Sequence, residues 1–297
     1  MSTINRTRAG AGRSRPVFPA TRVILVLFSL LTVLATNQLF VLARHTDRWF
    51  AWTIQPPLTA AFLGSGYGAG CVLVILALRT RLWAQARTAI ITIALFAALT
   101  LVATLLHLDR FHFSAPGAVA RFAAWFWLAI YVVVPVALLV LSVQQQRAPG
   151  GDPKRVQPLP AWLMALLAAQ GAVMLAVGVT LFVAPGLAAS LWPWTLTPLT
   201  ARMVAAWLVA FGFAAAMVLV ERDLQRLRID TVGYTVFGLL QLLALVIYGG
   251  PDVRWGTTAA TVYLIVLGTV PLVGVSGWWL AARGRRRTDL EDEKGTR

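Results

Sequence analysis

Apolar and polar positions alternate along this chain in long blocks, and the apolar blocks have the length of membrane spans. A hydrocarbon core about 30 Å thick needs roughly 20 apolar residues in a helix that rises 1.5 Å per residue. Eight runs suit that length, at about Val23–Ala43, Leu58–Leu78, Thr88–Leu108, Gly117–Leu141, Ala161–Ala184, Met203–Val220, Thr231–Tyr248 and Thr258–Ala282. The expected fold class is therefore all-α, a polytopic transmembrane helical bundle. Residues 1–22 form a polar arm rich in Gly, Ser and Arg with no apolar period, and disorder is expected there. The run that follows is too long for the apolar core of a signal peptide and lacks an A-x-A cleavage site, so it reads as a span. Between the fourth and fifth runs, residues 144–160 (QQQRAPGGDPKRVQPLP) are the most polar interior stretch. They separate two four-span halves, 23–143 and 161–282, and a charged tail follows at 283–297.

The two halves share a text. Trp52-Thr53-Ile54-Gln55-Pro56-Pro57-Leu58-Thr59-Ala60 returns, one residue shorter, as Trp194-Thr195-Leu196-Thr197-Pro198-Leu199-Thr200-Ala201. A further Trp precedes each copy, Trp49 and Trp192, and Gln38–Val41 lies over Thr180–Val183 in the same register. Downstream, Thr88 and Asp109 fall over Thr231 and Asp252 after a one-residue shift, and Pro135 matches Pro271 once a shorter loop is allowed. A shared period of half the chain is the mark of duplication. An even number of spans per half makes the repeats parallel, related by a pseudo-twofold along the membrane normal.

Composition agrees. The chain of 297 residues is 59% hydrophobic and 12% charged, with mean hydropathy +0.74. The net charge of +15 would suggest nucleic acid in a soluble protein, but the basic residues cluster in the tails and short connections, so no nucleic-acid partner is expected. Arg6 to Arg22, Arg79 to Arg87, Arg147 to Arg155, Arg222 to Arg228 and the tail from Arg283 lie on one side. The alternate segments keep only Arg44, Arg48, Arg110, Arg121, Arg202 and Arg254. The positive-inside tendency then sets both termini in the cytoplasm. The basic stretch Gly284–Arg287 suits anionic inner-leaflet lipid, and Asp289–Glu293 reads as a solvated acidic tail. Arginine in excess of lysine and abundant alanine suggest a GC-rich bacterial source and hence an inner membrane. The single cysteine, Cys71, excludes an internal disulfide and any zinc site built from cysteines.

Candidate chemistry gathers on the outer side. Tryptophan favours the membrane interface, proline is tolerated at a helix start and threonine can cap one, so both Trp-Thr-Pro segments suit a turn into a span. Because they are written twice, Trp49, Trp52, Trp192 and Trp194 are candidates to roof a shared pocket. Arg121 and Arg202 sit near the positive end of a helix dipole, on the side the basic residues avoid. Two penalties at one position suggest an offsetting anion, with Asp109 or Asp252 as internal partners and snorkelling to headgroups as the plain alternative. Three loops repeat an acid, a base and an aromatic (Asp47-Arg48-Trp49, Asp109-Arg110-Phe111, Asp252-Val253-Arg254-Trp255), which suits a headgroup-level rim. His45, His107 and His112 lie in outer segments of the first half without a metal-binding spacing, so neither metal nor cofactor is expected. Gly64/Gly68 and Gly66/Gly70 form interlocked GxxxG pairs suited to close helix contact, and Pro135 and Pro271 should kink their spans.

The span interiors read as nearly free of ionisable groups, Gln170 and Gln241 being the clearest polar residues. That argues against a proton- or ion-coupled pump and against an intramembrane protease. No phosphate loop, kinase set or nucleophile elbow is present. The leading expectation is a non-enzymatic membrane protein that binds or moves a lipid or other amphipathic, anionic small molecule at an outward site between the halves. Arg121 and Arg202 would receive the anion, and the four tryptophans would supply apolar surface. The alternative is a structural or assembly subunit docking another membrane protein, and an enzyme using the outer histidines is a third idea.

Overall fold

The computed structural model describes residues 14–188 and 192–295, those from 285 onward by backbone alone. Most of the N-terminal arm, and the side chains of the basic stretch after Gly284 and of the Asp289–Glu293 tail, lie outside the described residues. Eight helices are long and apolar enough to cross a membrane: α1 (Pro19–Val41), α2 (Pro57–Arg79), α3 (Trp83–Leu105), α4 (Ala118–Arg147), α5 (Ala161–Val183), α6 (Pro198–Glu221), α7 (Leu224–Tyr248) and α8 (Thr258–Gly295, apolar to Gly284). No strand occurs among the described residues. Together these features are those of a multi-pass integral membrane protein.

Several helices reach beyond the apolar run that announces them. α7 starts at Leu224 rather than Thr231, α3 at Trp83 rather than Thr88, α6 at Pro198 rather than Met203, and α4 runs on to Arg147. The extra turns carry arginine and glutamine, which are good helix formers, so polarity marks where the membrane ends and not where the helix does. Local signals fix the starts. Asp223 caps α7 by accepting from the N–H groups of Gln225 and Arg226, and Thr197 and Thr200 form a reciprocal capping box at α6, with Pro198 in the first helical position. Pro135 and Pro271 lie inside α4 and α8.

The apolar windows of α2, α3 and α6 are 72, 61 and 67% buried, while those of α1 and α4 are only 28 and 22% buried. The first three form the centre, with α7 beside them, and α1, α4, α5 and α8 form the rim. Within the halves α1 packs on α2, α4 on α3, α5 on α6 and α8 on α7. Between them, α2 packs on α7 and α3 on α6, so the halves interlock. The glycines of α2 serve both kinds of contact: a Cβ on Gly64 would fall within 2.6 Å of the Phe40 backbone in α1 of the same half, and one on Gly66 within 2.5 Å of the Trp207 indole in α6 of the other.

Residues 14–17, the linker and the α2–α3 and α6–α7 turns meet at one end of the bundle, here termed the termini end. Pro16 bridges Leu82, and Pro158 bridges Asp223. Charges are buried here in pairs. Arg87 of α3 donates bidentately to Glu221 at the end of α6 (2.6 and 2.7 Å) and also to Asp152 of the linker (2.6 Å). Arg226 of α7 donates to Glu221 (3.2 Å) and to the Pro153 carbonyl (2.6 Å), while Arg15 donates to the Gly150 carbonyl (2.9 Å). Glu221 is fully buried. Removing one member of such a cluster leaves the others as buried unpaired charge. Glu221→Gln is expected to cost about 3–5 kcal/mol, read as a loss of thermal stability in mild detergent, and Arg87→Gln added to it should recover part of the loss.

Candidate functional site

At the opposite, far end the segments after α1 and α5 turn back into the bundle. In the first, Phe50, Trp52 and Ile54 are buried; in the second, Trp192, Trp194 and Leu196 are. Ala51 and Pro193 are buried as well, while Thr53 and Thr195 face out, so each segment is a strip packed across the helix ends. Trp52 packs on Phe50, Phe111 and Trp127 with ring centroids 4.7 to 5.0 Å away. Trp192 packs on Trp194, Tyr263 and Phe62 at 5.2 to 5.6 Å. Trp194 crosses to the other half, where its indole N–H donates to Thr59 Oγ1 at the head of α2 (2.8 Å). Trp49 stays 45% exposed.

Each strip is pinned by the loop that follows the next helix pair. The His112 N–H donates to the Ala51 carbonyl (2.9 Å), and its Nδ1 lies 3.0 Å from the Phe50 carbonyl. A carbonyl only accepts, so Nδ1 carries the proton and Nε2 accepts from the Thr53 hydroxyl (3.1 Å). In the second half the Arg254 N–H donates to the Pro193 carbonyl (2.8 Å), and its guanidinium donates to the Trp192 carbonyl.

The two arginines singled out by sequence find neutral acceptors rather than an acid. Arg202 donates to the Phe182 carbonyl (3.1 Å) and to His107 Nε2 (2.6 Å), which must therefore be unprotonated. Burial, and next the Arg202 charge, hold the His107 pKa below its ordinary value. Arg121 is exposed and donates to the Ala115 carbonyl (3.1 Å). Asp109 pairs with its neighbour Arg110 (2.9 Å) at the surface. Among the described residues no three His, Cys, Asp or Glu gather as a metal site.

Two cavities flank the strips. The larger, about 470 Å³, opens between α5 and α8 and is walled by Val173, Met174 and Val177 of α5, Thr258, Val262, Tyr263 and Leu267 of α8, and Trp192 and Pro193 of the strip. Its lining is mostly apolar. Gln241 of α7 enters from behind, its amide donating to the Phe62 carbonyl (3.0 Å) and accepting from the Tyr263 hydroxyl (3.2 Å). The smaller, about 90 Å³, lies between α1 and α4, walled by Leu31, Thr32 and Ala35, by Phe50 and Ala51, and by Phe122, Phe126, Trp127 and Tyr131.

Of the seven candidates read from sequence, Trp192 alone lines either of these two cavities. Trp52 and Trp194 support the strips from within, while Arg121, Asp109 and Trp49 stand at the surface and Arg202 ties α6 to α3. The large cavity falls inside the second half, apart from Phe62, and not between the halves. Its α8 wall was missed because nothing about Thr258 or Val262 is conspicuous alone. The signal lies in the comparison with Phe122 and Phe126, which occupy the same distance before the matched prolines.

His107 supplies a test. A histidine whose folded pKa is lowered contributes stability that is complete above the ordinary value of 6.5 and is lost as pH falls through the folded pKa. An imidazole NMR titration should place His107 below its ordinary range, and Arg202→Gln should shift it part of the way back, burial remaining. No family model, curated protein or solved structure matches this chain, so the geometry is what its function must be read from.

Proposed function

We propose that this chain binds the apolar part of a lipid or amphipathic small molecule in the α5/α8 cavity, at the outer face of a bacterial inner membrane. The carrying observation is the size of that cavity beside its counterpart. At about 470 Å³ it falls in the range of small-molecule sites, roughly 300–1,000 Å³, and it is walled by hydrocarbon with a few polar atoms.

The counterpart rests on reading the chain as two parallel four-span repeats, N-in and C-in. Several pairings support that reading. α1 on α2 corresponds to α5 on α6, α3 with α4 to α7 with α8, and α2 on α7 to α6 on α3. The Pro16–Leu82 bridge corresponds to Pro158–Asp223, and His112 grips its strip as Arg254 grips the other. Orientation is supported by the termini end, where Arg15, Arg22, Arg79, Arg87, Arg155 and Arg226 gather.

Under that correspondence many wall positions of the two cavities pair: Leu31 with Val173, Thr32 with Met174, Phe50 with Trp192, Trp127 with Tyr263, Tyr131 with Leu267. The difference lies on the last span, where Phe122 and Phe126 stand opposite Thr258 and Val262. Two phenyl rings account for one cavity being small, and their absence for the other being roomy. Arg254 holds the Trp192–Pro193 wall, which puts a cation against that side of the cavity. It takes the place the sequence assigns to Arg121 and Arg202.

The test copies one half into the other. Native mass spectrometry of gently extracted protein should find one retained lipid or amphipathic adduct. Thr258→Phe with Val262→Phe should remove it without lowering thermal stability, since the first half already accommodates those rings. The reverse pair, Phe122→Thr with Phe126→Val, should allow a second adduct. An adduct that survives the filling pair would sink the proposal.

A further inference from the structure

One carboxyl group lies within a span where the sequence suggests none. Because α7 begins at Leu224, Asp230 sits in its second turn and not in a connection before it. Both carboxyl oxygens are buried, and neither has a hydrogen-bond partner among the described residues. They adjoin a cavity of about 20 Å³, lined by Leu73 of α2, Leu167 of α5, Phe211 and Val218 of α6 and Gly274 of α8. That is room for about one water molecule. Thr231 and Tyr234 are the other polar residues on this wall, and both are engaged elsewhere: Thr231 donates to the Arg228 carbonyl (2.9 Å) and Tyr234 to the Met174 sulfur (3.3 Å).

Two charged groups act at this place. Glu221, at the end of α6, opposes a negative charge on Asp230. Arg226 lies one turn earlier on α7 and is committed to Glu221 and the Pro153 carbonyl, but its Nε is buried without a partner. The walls from α2, α5 and α8 bring no charged side chain. With room for about one water molecule beside it and with Arg226 already paired to Glu221, an ionised carboxylate here would be poorly compensated, so this arrangement accommodates the uncharged acid. A metal ion does not fit: hard cations take six or more oxygens, and no cluster of three acidic or histidine ligands occurs among the described residues. A proton needs only one oxygen.

We propose that Asp230 is a proton-binding site inside the bundle, and that Arg226 answers its ionisation. The step moves one proton, from the carboxyl to water at the termini end, and leaves a carboxylate four residues beyond Arg226 on the same helix face. Arg226 then turns from Glu221 and Pro153 toward Asp230, which loosens the linker at Asp152 and Pro153. Protonation of Asp230 restores the clasp. This site does not depend on what occupies the α5/α8 cavity.

Infrared spectroscopy of the full chain in lipid nanodiscs, with carbon-13 in the aspartate carboxyls, tests it directly. At neutral pH a carbonyl band of an uncharged aspartic acid is expected, lost on going to alkaline pH and absent in Asp230→Asn. No such band in the wild-type protein at neutral pH, or one that Asp230→Asn leaves in place, overturns the site. Hydrogen exchange of residues 152–157, corrected for intrinsic rates, should rise over the same pH interval in the wild type and stay level in Asp230→Asn. The same rise in both proteins overturns the link through Arg226.

Discussion

Helices within a bilayer gain nothing by hiding apolar surface from one another, because lipid tails are as apolar as leucine. What joins the eight spans must then be close contact, or polar groups with no better partner. Both occur here, in different places. In the middle of the bundle the backbones approach through small residues: Gly66 under Trp207, and Gly171 against the Gly212 carbonyl, where a Cβ would fall within 2.9 Å. At the termini end the contact is ionic, and the bidentate Arg87–Glu221 pair fastens the first half to the second. Exchange between neighbouring helices of the two halves, α2 with α7 and α3 with α6, makes these contacts one structure and not two adjoining bundles.

That constraint also explains what could be read from the sequence. A span must be apolar along its length, so all eight were legible as runs, and the capping threonine and proline of α6 lie within the duplicated text. The central position of α2 was partly legible too, since four glycines at alternate positions have little other use in a span. The termini end was not legible. Arg87, Glu221, Arg226 and Asp230 look like the polar edges of loops when read by hydropathy, and only tertiary pairing keeps them in helices and buries them. The internal partners of Arg121 and Arg202 were not legible for a related reason. Backbone carbonyls and a neutral imidazole are acceptors that no charge pattern displays.

The two cavities differ in how their aromatic side chains are placed. Aromatic side chains accumulate in the first half, where Phe122, Phe126, Trp127 and Tyr131 meet below the Trp52 strip. The corresponding places of the second half hold Thr258, Val262, Tyr263 and Leu267. A similar buried strip, a similar pinning loop and a proline-containing helix thus enclose very different amounts of space. Polar placement differs as well, with Gln241 and Tyr263 joined behind the larger space and Tyr67 bonded to Tyr131 behind the smaller.

The lining of the larger space sets what can occupy it. Val173, Val177 and Val262 are 43, 37 and 48% exposed, so the space opens at the surface of the bundle and is not a sealed core void. A sealed void would cost about 24 cal/mol per Å³, whereas a groove between two rim helices is filled by whatever surrounds it. In a bilayer the surroundings are hydrocarbon, so a site must differ from the rest of the rim by its shape and by a few polar partners. Gln241 and the Tyr263 hydroxyl are such partners, and Thr258 and Val262 leave room where the smaller space has Phe122 and Phe126. On the function proposed above, the occupant is a molecule with an apolar tail.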